Sequence, residues 1–412
     1  MTVFIAQAAG RYMAENAASL RWMLERPRLH GTFLNTKLNP VTLMEYGAED
    51  GWRGPDWTYG WIQGRGLEAL ATHAEAFAAT DNELTAALDD AGRSLYLSLD
   101  ALRTRDGHGF FRYDPDMRAV CGPDDGPLEP QFPKSDLFTF SDAFFAKGLV
   151  RGAERYAPAD MGRQLDVLAR VIAAIEDDRF QMAEKVPLSP ATAEAEPDDF
   201  GPRMILLGAA GMLHRLGQEP STRYADGFIS HILSRHLETK TSLLRNVPGQ
   251  DECNVGHGIE FVGFALDHLG PKGDPGMIRT LERVLVASFD RGLDGPGIRL
   301  SVSAATGRPL SPFCPWWPLP ETIRSAALAH AATGSADTLR IWRAADARFH
   351  EGYWRGKPPI AYQCLTSDGP VDYVPATPDL DPGYHTGLSL LAAARVAEEM
   401  TDAAARHQNR TL

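Results

Sequence analysis

The sequence predicts an all-α protein, an (α/α)6 barrel in which six inner and six outer helices close into a toroid. Three observations carry this expectation. Long stretches rich in Ala, Leu, Glu and Arg place apolar residues at three- and four-residue spacing, as in Leu67 to Phe77, Met161 to Ile175, Met277 to Ser288 and Leu388 to Ala405. That spacing is the mark of amphipathic helices. One class of helix start recurs near Trp61, Leu137, Pro202, Gly256, Trp317 and Tyr384, at intervals of 76, 65, 54, 61 and 67 residues. Each interval has room for two helices and a loop, and such a unit buries its apolar face only against its neighbours. Finally, no βαβ alternation and no Gly-rich phosphate loop interrupts the helical pattern.

Between the helices lie Gly-, Pro- and Asp-rich segments with short alternating runs. Gly31 to Leu38, Gly107 to Tyr113 and Gly297 to Ser303 read as small hairpins. The Pro/Asp/Glu-rich stretch from Val186 to Asp199 reads as a loop inside one domain, and residues 1–412 are taken as a single catalytic domain.

Composition narrows the function. Acidic residues outnumber basic ones 54 to 41, a formal net charge of −13 that argues against nucleic acid and anionic membranes as partners. Cys121, Cys253, Cys314 and Cys364 are scattered without CxxC spacing, which suggests free thiols, a reducing compartment and no zinc site. The apolar run Val3 to Ala9 is short and has no preceding basic residue, and no apolar run approaches the length of a membrane span. A soluble cytoplasmic protein is expected.

The unusual residues gather at the helix starts. The first carries Trp61-Ile62-Gln63-Gly64-Arg65 and the fourth Gly256-His257-Gly258-Ile259-Glu260. The fifth carries Trp316-Trp317 followed by Glu321, and the sixth Tyr384-His385. His257 and Glu260 are three residues apart and share a helical face, so the carboxylate can orient an imidazole for acid/base work. In a closed helical barrel such ends converge on one mouth, which would let Arg65 and His385 meet across a pocket. Taken singly, each of these residues has an ordinary structural role: a helix-start His, an ion-pairing Arg, core tryptophans. The other histidines, including His73, His214, His231, His236, His268 and His330, read as packing or surface groups, and His108 as part of a turn.

In their order and spacing the motifs Gln63-Gly64-Arg65, Gly256-His257-x-x-Glu260, Trp316-Trp317 with Glu321, and Tyr384-His385 resemble the N-acylglucosamine 2-epimerase superfamily. That group includes cellobiose 2-epimerases, mannose isomerases and sulfoquinovose isomerases. The resemblance spans about Gly31 to Val396 and implies the same (α/α)6 fold. It implies proton transfer at C2 of a reducing mono- or disaccharide, with no metal and no organic cofactor. Removing the C2 hydrogen leaves an enediolate whose charge needs a cation or hydrogen-bond donors. By motif match His385 is the C2 base, His257 the partner that reprotonates or assists ring opening, and Arg65 the cation near the sugar oxygens. Glu260 and Glu321 are assigned to imidazoles or hydroxyls, Gln63 and Tyr384 to substrate binding, and Trp316 or Trp317 to the C–H face of the sugar.

The sequence also departs from the family pattern. Where many members carry Met-His-Leu-Leu-Glu, this chain has Met204-Ile205-Leu206-Leu207-Gly208, so a pocket histidine and a glutamate are missing. Thr386-Gly387 replaces the usual basic residue after the last histidine, and no lysine precedes the Gln-x-Arg motif. These changes leave the proton-transfer pair and put the sugar in doubt. The expected function is an aldose–ketose isomerase or 2-epimerase, with a slight lean to the former. The alternatives are a glycoside hydrolase or lyase on the same barrel, using Glu260 and Glu321 as paired carboxylates, and a non-catalytic carbohydrate-binding protein. Exposed outer helices are compatible with a homodimer.

Overall fold

A computed structural model describes residues 3–124, 126–134, 136–270, 273–373 and 376–411, with the side chains of 407–411 excluded. The described helices are α1 (Val3–Glu25), α2 (Gly60–Phe77), α3 (Asn82–Asp106), α4 (Phe140–Tyr156), α5 (Met161–Glu176), α6 (Pro190–Ala195) and α7 (Gly201–Arg215). They continue with α8 (Tyr224–Arg235), α9 (Val255–Leu269), α10 (Pro275–Gly292), α11 (Pro318–Thr333), α12 (Ala336–Gly352) and α13 (Ser389–Thr411). The expected helix starts fall within three residues of α2, α4, α7, α9 and α11; at the sixth, a π-helical turn over Tyr384–Leu388 leads into α13.

The ends of these helices follow from local chemistry. Asp81 caps α3 through the Leu84 amide, and Gly107, at φ 74°, ends it in the left-handed region that glycine tolerates. Thr139 and Asp142 form a reciprocal capping box at α4. Asn254 caps α9 by accepting from the His257 amide at 3.1 Å. Helices α4, α7, α9 and α11 are buried on nearly every side, whereas α3, α5, α10 and α12 bury one face. That alternation is the inner-and-outer pattern the repeat predicts.

The chain forms two compact units. The first comprises Arg21–Tyr224 and Val374–Tyr384. Within it the approach of α2 and α4 is set by glycine: a Cβ on Gly148 would lie 2.4 Å from the Gly64 carbonyl oxygen. A four-stranded antiparallel sheet of two- and three-residue strands runs Thr58–Tyr59, Arg112–Tyr113, Ala119–Cys121 and Glu129–Pro130. The late segment before Tyr384 is tied in by Asp379, which accepts from Thr36 and, at 3.1 Å, from the buried Lys37. The Leu380 amide donates to the Thr36 carbonyl at 3.0 Å. The expected hairpin at 31–38 has only isolated bridges, Leu29 with Phe33 and Leu38 with Glu45. The 186–199 stretch contains the short α6.

The second unit comprises Met1–Leu20, Ala225–Tyr373 and His385–Leu412. Its inner pair, α9 and α11, meets at Gly263, where an added Cβ would sit 2.5 Å from Ser325 Oγ; Ser325 donates to the Ile259 carbonyl at 2.8 Å. Small antiparallel pairs fill its loops, among them Leu293–Asp294 with Gly297–Ile298 and Cys314–Pro315 with Cys364–Thr366. All four cysteines are buried free thiols. Among the described residues, no helix is long and apolar enough to cross a membrane.

Candidate active site

The second unit brings six of the expected site residues into one cluster: His257, Glu260, Trp316, Trp317, Glu321 and His385. Asn254 starts α9 and so places His257 on its first turn, while Gly256 clears space beside it. A Cβ there would lie 2.5 Å from the Trp317 ring. The His257 and Trp317 ring centroids are 5.3 Å apart, and those of Trp317 and His385 are 5.5 Å apart. Both imidazoles therefore pack on one indole, although 128 residues separate them in the chain. Trp316 meets the His385 ring edge-on at 6.2 Å and donates through Nε1 to Thr386 Oγ1 at 3.3 Å.

Carboxylates define the state of His385. Glu321, on the first turn of α11, accepts from His385 Nδ1 at 2.9 Å, and a Glu260 oxygen lies 4.0 Å from the same nitrogen. A carboxylate only accepts, so Nδ1 carries the hydrogen of this bond. Arg324, one turn along α11, forms an ion pair with Glu321 and supplies the countercharge that a buried carboxylate needs. Burial is deep: 3% of Glu260, 1% of Glu321 and 7% of His385 is exposed. The same carboxylates and imidazole offer ligand atoms within 4.8 Å of one another, a spacing that a cation could use. Any such cation would compete with Arg324 for Glu321 and with the hydrogen on His385 Nδ1.

The remaining expected residues are described within the first unit. Arg65 lies among three aromatic rings, its guanidinium carbon 4.1 Å from the Phe144 centroid, 5.0 Å from Trp61 and 5.3 Å from Tyr384. Cation–π attraction orients the guanidinium against these rings. Tyr384 accepts from the buried Lys147 ammonium at 2.5 Å. Gln63 has both ends of its amide engaged by Leu34: its Oε1 accepts from the amide at 2.9 Å and its Nε2 donates to the carbonyl at 3.0 Å. Ile205 and Gly208 are buried on α7, so no imidazole or carboxylate stands at those positions.

Sequence reasoning missed several residues. Arg324 was signalled by its i, i+3 spacing from Glu321. Lys147 was signalled by being the one charge in the run Ala143 to Val150. Nothing in the sequence pointed to Phe144 as a floor for Arg65. His108, expected in a turn, is a buried imidazole bound to Asp142 at 3.1 Å.

No family model matches this sequence, and no curated protein matches it. Solved structures do. Cellobiose 2-epimerase from Spirochaeta thermophila DSM 6192 superposes with a TM-score of 0.69 at 16% identity, covering 97% of this chain and 100% of that one. D-mannose isomerase gives 0.71 at 12% identity, over 96% and 99%. An unsaturated glucuronyl hydrolase specific for heparin gives 0.58 at 11% identity, over 96% and 98%. The likeness shows the fold: all-α, of the (α/α)6 class predicted from the helical repeat, shared with sugar epimerases and isomerases and also with hydrolases.

Proposed function

We propose that the protein is a sugar isomerase or 2-epimerase that moves a proton at C2 of an open-chain aldose, without a cofactor. The observation that carries this reading is the His385–Glu321–Arg324 chain beside His257. It supports His385 as the base by fixing its Nδ1 on a carboxylate, and a second imidazole packs on the same indole. His385 takes the C2 hydrogen, whose acidity comes from the neighbouring carbonyl. The C–H bond pair moves into the C1–C2 bond and the carbonyl electrons onto O1, giving the enediolate. His257 returns a proton to the opposite face of C2 for the epimer; for the ketose the proton goes to C1 while the O2 hydrogen passes to O1, leaving the carbonyl at C2. Each such transfer is worth about 10²–10⁴-fold. Arg65 enters through its motif match, as the fixed charge and fork of donors suited to enediolate oxygens. The indoles of Trp316 and Trp317 suit the C–H face of a sugar. Between the two outcomes we favour aldose–ketose isomerisation, the reaction named for D-mannose isomerase.

A hydrolytic role for Glu260 and Glu321 fits less well. Both carboxylates are buried and directed at one imidazole nitrogen, whereas glycoside cleavage needs them on either side of a glycosidic oxygen. The test is product analysis after incubation with mannose, glucose, N-acetylmannosamine, cellobiose and sulfonated hexoses. A ketose or a 2-epimer from any of them is expected. Monosaccharides released from cellobiose, without isomerised product, would overturn the proposal in favour of hydrolysis.

A further inference from the structure

We propose that Lys147 is a positioning residue for His385, acting through Tyr384; this deepens the reading above, in which His385 is the base. Because α2 and α4 touch at Gly64 and Gly148, with no side chain between them, the residues flanking that contact are driven into the joint. They are Glu68 on α2 and Lys147 on α4. Lys147 is fully buried, its ammonium 3.3 Å from the Glu68 carboxylate and 2.5 Å from the Tyr384 hydroxyl that accepts from it. A buried ammonium is retained only where its partners fix it, and a charge-assisted bond of this length is directional.

Arg151, one turn along α4, shows what a purely structural cation does here. It pairs with Glu75 and Glu154 at the surface and donates to the Ala71 carbonyl at 2.9 Å, which already clamps α4 to α2. Lys147 instead reaches a residue 237 positions away. That residue opens the π-helical turn Tyr384–Leu388, and the next residue in the turn is His385. Single π turns are rare and concentrate at functional sites, because an extra residue in the turn re-aims the side chains it carries. The chain leading into the turn is anchored step by step: Asp379 to Lys37, the Leu380 amide to Thr36, and the Tyr384 amide to Asp381 at 2.9 Å. The Lys147–Tyr384 bond is the last of these tethers before His385. It holds the start of the turn while Glu321 holds the imidazole.

The test compares Lys147→Met and Tyr384→Phe with Leu149→Ala, a fully buried change on the same helix outside this network. In the first two, kcat for C2 exchange should fall about 10- to 100-fold with KM changed less than about threefold, the signature of a base slightly out of place. Lys147→Arg should recover part of the loss. Independently of activity, the labelled imidazole signal of His385, assigned by its disappearance in His385→Asn, should move in Lys147→Met and Tyr384→Phe but not in Leu149→Ala. An unmoved signal with unchanged kcat overturns the proposal, and so does an equal response to Leu149→Ala, which would make the effect one of packing. If the wild-type protein exchanges no sugar, the functional reading fails while the imidazole signal still decides the role of Lys147. Should Lys147→Met not fold, Tyr384→Phe breaks the same bond with the lysine left in place.

Discussion

Each unit contains a buried histidine bonded to a carboxylate, and the two pairs sit in different surroundings. In the first unit His108 Nδ1 binds Asp142 at 3.1 Å while Nε2 binds the Lys134 carbonyl at 2.9 Å. Both partners are acceptors, so both ring nitrogens carry hydrogens and the ring is an imidazolium with no basic atom to offer. Asp142 also takes the Gly109 and Thr139 amides, making the pair a staple between a loop and the start of α4. In the second unit His385 Nδ1 binds Glu321 and the ring lies against Trp316 and Trp317. The two acceptors on the His108 ring mark it as structural, whereas His385 is the base in the proposed mechanism.

The largest expected effect follows directly. His385→Asn should cut C2 exchange by about 10³-fold or more, and His108→Asn should leave kcat of the folded protein within about twofold, because in the proposed mechanism His385, and not His108, takes the C2 proton. Progress curves at a temperature well below either melting point check both. Glu321→Gln comes next. An amide can present its NH₂ to Nδ1, favouring the wrong tautomer, and a loss of at least about 100-fold in kcat is expected with the melting temperature little changed.

The pH dependence of stability sharpens the other half of the comparison. Burial pushes the His108 imidazolium down, but the charge and hydrogen bond of Asp142, helped by the Lys134 carbonyl, more than offset it, so its pKa is raised. Burial also pushes Glu184, which accepts from the Ser141 amide at 3.0 Å, up to about 7. A raised folded-state pKa means that the folded form holds its proton longer. The associated stability is therefore present below the unfolded-state value and lost as pH rises through the folded one. For Glu184 the window runs from about 4.5 to about 7, and for His108 it begins near 6.5 and extends upward. Melting curves from pH 5 to 8 should fall with pH, and Glu184→Gln should flatten the lower part by on the order of 3 kcal/mol at most. A melting temperature that rises across this range would contradict the assignment of both groups.

The smallest effect is expected from metal removal. Dialysis against a chelator should leave exchange unchanged. A loss restored by a divalent cation would recast Glu260, Glu321 and His385 as ligands.

The comparison also explains what the sequence could and could not disclose. Helix positions were legible because their determinants are local: apolar spacing in Met161 to Ile175, the Asn254 cap, Pro318 at the start of α11. The membership of the second-unit cluster was legible through short motifs, since His257, Trp317, Glu321 and His385 each sit at a recognisable helix start. Partners were not. Spacing gave no sign that Glu260 stands 4.0 Å from His385 Nδ1, a residue far along the chain. His108 was read as a turn residue because its acceptor, Asp142, lies 34 positions away on another helix. Lys147 and Tyr384, 237 residues apart, meet because two glycines let α2 and α4 close. Contacts of that kind depend on tertiary packing, which spacing rules do not encode.

The most direct measurement is deuterium incorporation at C2, followed by proton NMR, for responsive aldoses incubated in D₂O with the wild-type protein, His257→Asn and His385→Asn. Exchange is expected with wild type and its loss in His385→Asn, while His257→Asn stays folded and retains at most a small fraction of turnover. Full exchange in folded His385→Asn, or a wild type that releases product with C2 still protonated, would contradict it.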